Sequence, residues 1–359
     1  MHPLPFGLVF LIPATTVLGG LLGGVWTFST PIFVFLLAPV VDAVISVNTV
    51  NPDSDEIRHR WLFDGWLMLW VPAQLGLIAY GLVVVSGGTR TPFEQVGLTL
   101  AIGLCSGGIG ITIAHELMHR KERWARGLAE VLMTSATYTH FCVEHVLGHH
   151  RHVATPLDPA SSRRGESLYA FLPRTLWGSL ASAWRLEGER VAKLGIPTWS
   201  LANRRVRYPL VLAVVYLAIA AGFGLVGVAF FLAQSLIAAV LLEIINYIEH
   251  YGLARREIAP GRYERVRPAH SWNSPHRFTA WLLFNLPRHA DHHYLASRPY
   301  PLLRHFDDSP QLPTGYAGMI LVALVPPIWR RVMDPRVDAW NAGRPETLAT
   351  PRGQGLRVA

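Results

Sequence analysis

Long apolar runs constrain the fold of this chain more than any other feature of its sequence. A helix needs about 20 mostly apolar residues to cross the hydrocarbon core of a bilayer, and runs of this kind recur along the 359 residues. They predict an all-α membrane protein with about six transmembrane helices. The predicted spans are residues 6–28, 31–47, 65–85, 96–114, 208–226 and 228–246.

Glycine and proline add detail to this pattern. Three glycines within 222–227 separate the last two spans and predict that these spans form a hairpin. A further apolar stretch, 318–328, is too short to cross a bilayer and ends in two prolines, so we expect a buried or interfacial segment there. Residues 1–340 are predicted to form one membrane-embedded domain, and the polar residues 341–359 a loose C-terminal tail.

Charge is sparse and unevenly distributed along the chain. Only 16% of the residues are charged, whereas soluble domains average about a quarter. If the six spans alternate in direction, both termini lie on one side, together with every Lys and Arg except Arg90. The positive-inside rule assigns that side to the cytoplasm. The net charge of +8 therefore reflects topology in a lipid bilayer, and we expect no nucleic-acid partner.

The cysteines exclude one kind of metal site. The chain has two, Cys105 and Cys142, and neither belongs to a Cys-x-x-Cys pair. The sequence therefore carries no rubredoxin-like or zinc-ribbon site of its own. Both residues are predicted to be small, buried hydrophobic side chains.

Nine of the sixteen histidines form four tight groups at predicted membrane boundaries. The motifs are His-Glu-Leu-Met-His at 115–119, Glu-His-Val-Leu-Gly-His-His at 144–150, Glu-His-Tyr-Gly at 249–252 and His-Ala-Asp-His-His at 289–293. Such clustering on one side of a membrane predicts metal binding. The candidate ligands are His115, His119, His145, His149, His150, His250, His289, His292 and His293.

Their spacing indicates more than one metal ion. Residues four apart on a helix share a face, whereas neighbours point about 100° apart, so His149 and His150 could reach two different ions. Imidazole suits iron, zinc, copper and nickel. Because tetrahedral zinc takes four ligands, nine histidines predict two ions. Shared ions are expected for His115 with His119, His145 with His149, and His289 with His292 and His293.

Acidic residues accompany the histidine motifs. A ligating histidine usually donates its second N–H to an acceptor that fixes the ring, and carboxylates are natural acceptors. We expect this role for Asp158, in an Asp-Pro step eight residues after the second motif, and for Glu249, directly before His250. Some acids could instead pair with Arg120 or Arg288. The acids inside the motifs are Glu116, Glu144, Glu249 and Asp291.

Two other classes of protein compete with a multi-metal enzyme. Residues 115–119 also match the zinc-protease pattern H-E-x-x-H, which would make Glu116 a general base. That interpretation leaves the other grouped histidines without a role. A metal transporter would need a polar path, but the first five spans offer little beyond Asp42, Gln74 and a few hydroxyl groups.

The four motifs resemble the histidine boxes of the integral-membrane alkane monooxygenases, within the wider superfamily of histidine-box desaturases and hydroxylases. Desaturase boxes typically read H-x-x-x-H, H-x-x-H-H and H-x-x-H-H. The longer second box here and the additional Glu-His-Tyr-Gly element are typical of the alkane and xylene-type monooxygenases. The resemblance covers about 42–337. Other similar segments lie at 154–162, 270–274, 303–308 and 312–316.

Two departures from the alkane hydroxylase pattern leave the substrate open. The first box ends in Met118-His119-Arg120 where many alkane hydroxylases have Gly-His-Lys, and 286–288 reads Leu-Pro-Arg where Leu-Gln-Arg is common. Arg120 is similar to the arginine of xylene and cymene methyl hydroxylases. A linear alkane and the methyl group of an alkyl-aromatic both remain candidates.

The resemblance implies a di-iron hydroxylase in a bacterial-type inner membrane, with the nine histidines in a cytoplasmic cap. It implies O₂ as co-substrate, with one oxygen atom entering an alkyl C–H bond, at the terminal carbon of a linear alkane, and the other leaving as water. It also implies rubredoxin and rubredoxin reductase as electron donors. Candidate contacts for an acidic donor on the basic face are Arg204, Arg205, Arg255, Arg256, Arg330 and Arg331.

An acid within the second predicted span indicates which face of that helix points inward. Asp42 lies in an apolar run, and such residues almost always face the interior of a helix bundle. Ala38 and Val34, at steps of four, share its face. We expect Val34 and Ala38 to line part of a substrate cavity. The alternative is that these small residues permit close helix packing.

Overall fold

Helices form almost all the regular structure in residues 1–343, the part of the chain that this computed structural model describes. The first helices are α1 (Leu4–Leu22), α2 (Gly24–Val44), α3 (Arg60–Ser86), α4 (Pro92–Met118), α5 (Arg123–Ser135), α6 (141–152), α7 (Leu168–Lys193) and α8 (Arg204–His250). A short antiparallel hairpin of β1 (Glu257–Ala259) and β2 (Arg262–Tyr263) follows. The remaining α-helices are α9 (Arg277–Leu282), α10 (His289–Tyr294), α11 (Tyr316–Ala323) and α12 (Pro326–Gly343).

Five of these helices, α1, α2, α3, α4 and α8, are long and apolar enough to cross a membrane. Helix α8 turns back on itself at Gly224, whose backbone is not helical (φ 64°, ψ −165°). The rings of Tyr216 and Phe231 lie 5.3 Å apart, whereas the same residues would be separated by about 22 Å along a straight helix. The predicted hairpin is therefore present, and the five helices supply the six predicted segments.

Helix α4 is the most enclosed of the five. About 78% of its apolar stretch is buried, against at most 44% in the others. Glycine permits this close packing, because a Cβ atom on Gly107 would lie 2.7 Å from the Cα atom of Ala238 in α8. The segment Cys105–Gly110 is a π-helix, a feature that often marks functional sites. Helix α4 also runs four residues beyond the predicted span, to Met118, and so carries His115.

Asp42 faces inward, as predicted from its place in an apolar run. It is buried, and its carboxylate accepts hydrogen bonds from the backbone N–H groups of Phe278 (3.0 Å) and Thr279 (3.1 Å) and from the Thr279 hydroxyl. Asp42 thereby satisfies free N–H groups in the first turn of α9. This contact fixes the rotation of α2 and leaves Ala38 buried.

The C-terminal helices bend sharply instead of crossing the membrane as one straight helix. Helices α11 and α12 meet at 119°, next to the two prolines of the stretch 318–328. Trp329 is fully buried, 5.0 Å from the ring of Tyr247 and 5.1 Å from that of Tyr251. Helix α12 includes 341–343, and the rest of the predicted tail, 344–359, lies outside the described residues. Both cysteines are buried, as predicted.

Candidate metal centre and its cavity

The four histidine motifs meet in space and form two groups that could each hold a metal ion. In each group, one nitrogen per ring lies within 4.8 Å of every other. We refer to them as the five-histidine group and the four-histidine group. The five-histidine group contains His115, His119, His145, His150 and His292. The four-histidine group contains His149, His250, His289 and His293.

The distances within the five-histidine group suit ligands of one ion. The Nε2 atom of His145 lies 3.1 Å from that of His119 and 3.0 Å from that of His150. The Nε2 atoms of His150 and His292 are also 3.0 Å apart. Nitrogen ligands about 2.1 Å from an ion and at right angles to each other are about 3.0 Å apart. The Nε2 atom of His115, another member of the group, is buried and has no hydrogen-bond partner in the described part of the protein.

The four-histidine group has similar spacing. The Nε2 atom of His293 lies 3.2 Å from that of His149 and 2.9 Å from that of His289. The Nε2 atom of His289 lies 3.3 Å from that of His250. All four rings are buried. The ring centroids of His150 and His293 are 4.6 Å apart. The two groups therefore adjoin, and two ions could be held side by side.

The second motif divides between the groups differently from the prediction. His145 was expected to share an ion with His149, but it joins His150 instead. The reason is local: His145–His149 forms a π-helix, in which residues five apart in sequence lie on one face. The predicted division of His149 and His150 between two ions fits the structure.

The fourth motif also serves both groups. His289 and His293, four apart, lie in the four-histidine group, whereas His292 lies in the five-histidine group. The expected pairing of His289 with His292 was therefore wrong. His115 and His119 share a group, as their spacing predicted.

Burial keeps most histidines of the two groups neutral. It lowers the pKa of His119 to about 4, with a smaller contribution from His149. Burial and neighbouring imidazoles hold the pKa values of His145, His150 and His292 well below the usual range. A neutral ring has a nitrogen lone pair available, which is the form that binds metals.

His149 differs because of Asp158. Its Nδ1 atom lies 2.9 Å from Asp158 Oδ2, and both residues are buried. Burial lowers the pKa of His149, but the charge and hydrogen bond of Asp158 outweigh it and raise the pKa to about 9. The carboxylate is itself held by the Ser161 hydroxyl (2.6 Å) and the backbone N–H of Ala160 (3.0 Å). Asp158 thus lies behind the ring, in the position expected of an orienting acceptor.

Glu249 lies on the side of His289 that faces the four-histidine group. Its Oε2 atom is 3.1 Å from Nε2 of His289, the nitrogen that faces the four-histidine group. Its Oε1 atom accepts a 2.7 Å hydrogen bond from the Tyr316 hydroxyl. Glu249 therefore faces the candidate ion, and it does not support a ring from behind as Asp158 does. Tyr316 lies in the similar segment 312–316, but the sequence predicted no role for it.

Two other acids of the motifs, Glu116 and Asp291, form ion pairs with arginines. Glu116 lies 3.3 Å from Arg120, one of the two arginines predicted as possible partners of these acids. A zinc protease would need Glu116 beside the metal as a general base. The ion pair with Arg120 engages this carboxylate instead, which argues against the zinc-protease alternative. Asp291 lies 2.7 Å from Arg298 and not with Arg288. Arg288 donates to the carbonyl groups of residues 48, 50 and 303 instead.

An apolar cavity of about 90 Å³ extends from the membrane helices to the histidines. We refer to it as the membrane cavity. Val34 and Ala38 of α2 line it, as do His115 and His145 from the five-histidine group. At the same end it meets residues on the side of the four-histidine group, namely His289, Glu249 and Tyr316. The membrane cavity therefore reaches histidines of both groups.

A profile of the fatty acid desaturase family matches residues 93–323. Alkane 1-monooxygenase 1 of Pseudomonas aeruginosa is 42% identical, over 92% of this chain and 87% of the relative. Alkane 1-monooxygenase 2 of the same organism is 43% identical, over 89% and 86%. The xylene/toluene monooxygenase hydroxylase component XylM of Pseudomonas putida is 28% identical, over 100% and 94%.

Proposed function

Because this chain belongs to the alkane 1-monooxygenases, membrane oxidoreductases of the fatty acid desaturase family, we propose that it hydroxylates the terminal carbon of a linear alkane. The observation that supports this most directly is the membrane cavity. Its walls are apolar, it lies among the spans, and it ends at histidines of both groups. A hydrocarbon dissolved in the bilayer can enter such a site without passing through water.

We propose that the nine histidines hold two iron ions. The nitrogen spacing of about 3 Å in each group fits ligands of one transition-metal ion. Imidazole ligands are compatible with iron, although they do not select it over zinc or copper. When bound, two irons would supply the O₂ activation that hydroxylation of an unactivated C–H bond requires.

The protein's own residues position the reactants in this proposal. Asp158 orients His149 from behind the ring. Glu249 and Tyr316 line the end of the membrane cavity, where their 2.7 Å hydrogen bond can hold a proton close to the reacting carbon. Leu241, Ile245 and Leu282 are among the apolar side chains that exclude water there.

We propose that rubredoxin, reduced by rubredoxin reductase, delivers the electrons at the cytoplasmic face. The chain has no cysteine pair of its own for an iron–sulfur site. Near the histidines, Arg255 donates to the backbone carbonyl groups of Arg151 and Val153, the residues that follow the second motif. Arg256 beside it is exposed, so an acidic donor bound there would lie close to His150.

A methyl group on an aromatic ring is the second candidate substrate, supported by the 28% identity to XylM. Arg120, the residue that suggested this alternative, does not line the membrane cavity. It lies between Asp64 (2.8 Å) and Glu116 (3.3 Å). The arginine thus supports the fold at the end of α4, and it gives no preference for an aromatic substrate.

The test is product analysis in cells that lack other alkane hydroxylases. The chain is co-expressed with a rubredoxin and its reductase, and the cells are fed linear alkanes of graded length, or xylenes and cymene. We expect primary alcohols from alkanes. Exclusive formation of benzylic alcohols would favour the second candidate, and a protein loaded with metal that oxidises neither class would contradict the proposal. Metal analysis of the purified protein tests the iron assignment separately.

A further inference from the structure

A second cavity, of about 390 Å³, lies between α7 and the two arms of α8. We refer to it as the interfacial groove. None of the nine candidate ligands lines it, and its inner wall includes Tyr138, His140 and Val143, close to the second histidine motif. Its apolar walls include Leu176 and Leu180 of α7 and Leu212, Leu232 and Leu236 of α8.

The groove runs from the charged start of α8 to apolar residues farther along both of its arms. Arg204 and Arg205 line it at the start of α8, where charge marks the end of the span. Leu212 is about 11–12 Å farther along the helix. Leu232 and Leu236, on the returning arm, are 54% and 57% exposed, so this wall opens towards lipid. The groove therefore has a basic end at the interface and an apolar end within the bilayer.

Charge pairing leaves one cation available at the basic end. Glu187, the acid that lines the groove, is bound by Arg190 through two contacts of 2.6 and 2.7 Å. Glu130 accepts two hydrogen bonds from Arg207, of 2.8 and 2.9 Å, and also lies 3.5 Å from Arg204. Within residues 1–343, Arg205 forms no salt bridge with a carboxylate, and its side chain has one long contact, of 3.5 Å, to the Asn203 amide oxygen.

The Arg205 side chain is held in place although it lacks an anionic partner. Its guanidinium carbon lies 5.8 Å from the ring centre of Trp184, a cation–π contact. It also lies against Gly188, where an added Cβ atom would come within 2.7 Å of Nη1. The glycine thus leaves room for the guanidinium at the mouth of the groove. A planar guanidinium that is fixed and unpaired is suited to binding a phosphate group.

We propose that the interfacial groove binds one anionic phospholipid, with its phosphate on Arg205 and an acyl chain along the leucines of α7 and α8. A free phosphate ion would gain nothing from the apolar walls, and a hydrocarbon would gain nothing from the arginine. A phospholipid satisfies both ends. Anionic lipids also concentrate near basic residues at a membrane surface.

The test is native mass spectrometry of the full chain, titrated with phosphatidylglycerol or with phosphatidylcholine of the same acyl chains. We expect one phosphatidylglycerol to stay bound under conditions that remove phosphatidylcholine. Arg205→Gln should weaken this binding about tenfold or more, because a charge-assisted hydrogen bond is lost. The matched control is Arg185→Gln, since Arg185 is an exposed arginine of α7 that does not line the groove.

Two further variants test the position of the lipid without removing a charge. Gly188→Ala should displace the Arg205 side chain, and Leu180→Trp should obstruct the apolar part. Both should reduce phosphatidylglycerol binding, while thermal unfolding shows that the chain remains folded. Equal binding of the two lipids, equal loss in the Arg185 control, or competition by inorganic phosphate as effective as by lipid would each overturn the proposal.

Discussion

Asp158 lies behind His149, with its Oδ2 atom 2.9 Å from Nδ1, while Nε2 on the opposite edge of the ring faces His293 at 3.2 Å. One carboxylate therefore fixes which nitrogen of His149 is free to bind an ion. The Ser161 hydroxyl, at 2.6 Å, holds the carboxylate in turn. The ring is thus oriented before any metal binds.

Replacing Asp158 with Asn should loosen metal binding without unfolding the cap. The amide keeps the size of the side chain but loses the charge that orients His149, and such changes typically cost 10–100-fold in metal affinity or activity. Metal content after dialysis against a graded chelator, measured beside hydroxylation, checks this. Ser161→Ala should show the same effect more weakly. Unaltered metal retention in Asp158→Asn would refute the orienting role.

Ligand replacement in either group should lower the iron content. We expect this for His150→Ala in the five-histidine group and for His250→Ala in the four-histidine group, with hydroxylation lost in both. His59→Ala and His2→Ala are the controls, because both residues are exposed and outside the groups. Elemental analysis per chain is the measurement. Full iron content with two of the nine histidines replaced would exclude the di-iron assignment.

Val34→Trp should shorten the longest alkane accepted. Val34 lines the membrane cavity, and an indole there would occupy space needed by a long chain but not by a short one. The control is Leu36→Trp on the same helix, since Leu36 is 64% exposed and does not line the cavity. Chain-length profiles of the two folded, iron-loaded variants give the answer. The same profile in both would mean that Val34 serves only in helix packing.

Glu249→Gln should reduce turnover more than it reduces folding stability. The carboxyl group lies between the Tyr316 hydroxyl and His289 at the end of the membrane cavity, so it can exchange a proton where the substrate reacts. Tyr316→Phe, which removes the hydrogen bond but retains the carboxylate, should have a smaller effect on rate. Single-turnover rates and thermal unfolding separate the two contributions. Wild-type turnover in Glu249→Gln would show that the carboxylate is not required.

Turnover supported by an acidic electron donor should fall as salt is raised. Steering between opposite charges weakens with ionic strength. Arg256 lies close to the second motif, because its neighbour Arg255 donates hydrogen bonds to the backbone directly after that motif. Arg256→Glu should lower kcat/KM for the donor, whereas Arg185→Glu on α7 should not. Initial rates at several donor concentrations and salt levels provide the check. Rates that do not respond to salt would indicate a neutral docking site.

The sequence predicted the architecture and the candidate ligands because both depend on local patterns. Apolar runs indicated the spans, the glycines near 224 indicated the hairpin, and Asp42 indicated the inward face of α2. The division of ligands between the groups was not predictable in the same way. It depends on a π-helix at His145–His149, and no residue type specifies such a turn. The place of Glu249 on the side of His289 that faces the four-histidine group depends on how α8 meets α10, a long-range contact that spacing cannot show.

The second and fourth histidine motifs each contribute to both groups, through His149 and His150 and through His292 and His293. The two binding sites therefore share their backbone. An ion held in one group would order the segments that present ligands to the other, so the second ion would meet ligands already in position. Loading should be cooperative, and chains that carry a single ion should be rare at equilibrium. The two sites would then bind and release their ions together. Incorporation of the metal would therefore be coupled to the folding of the segments that carry the histidines.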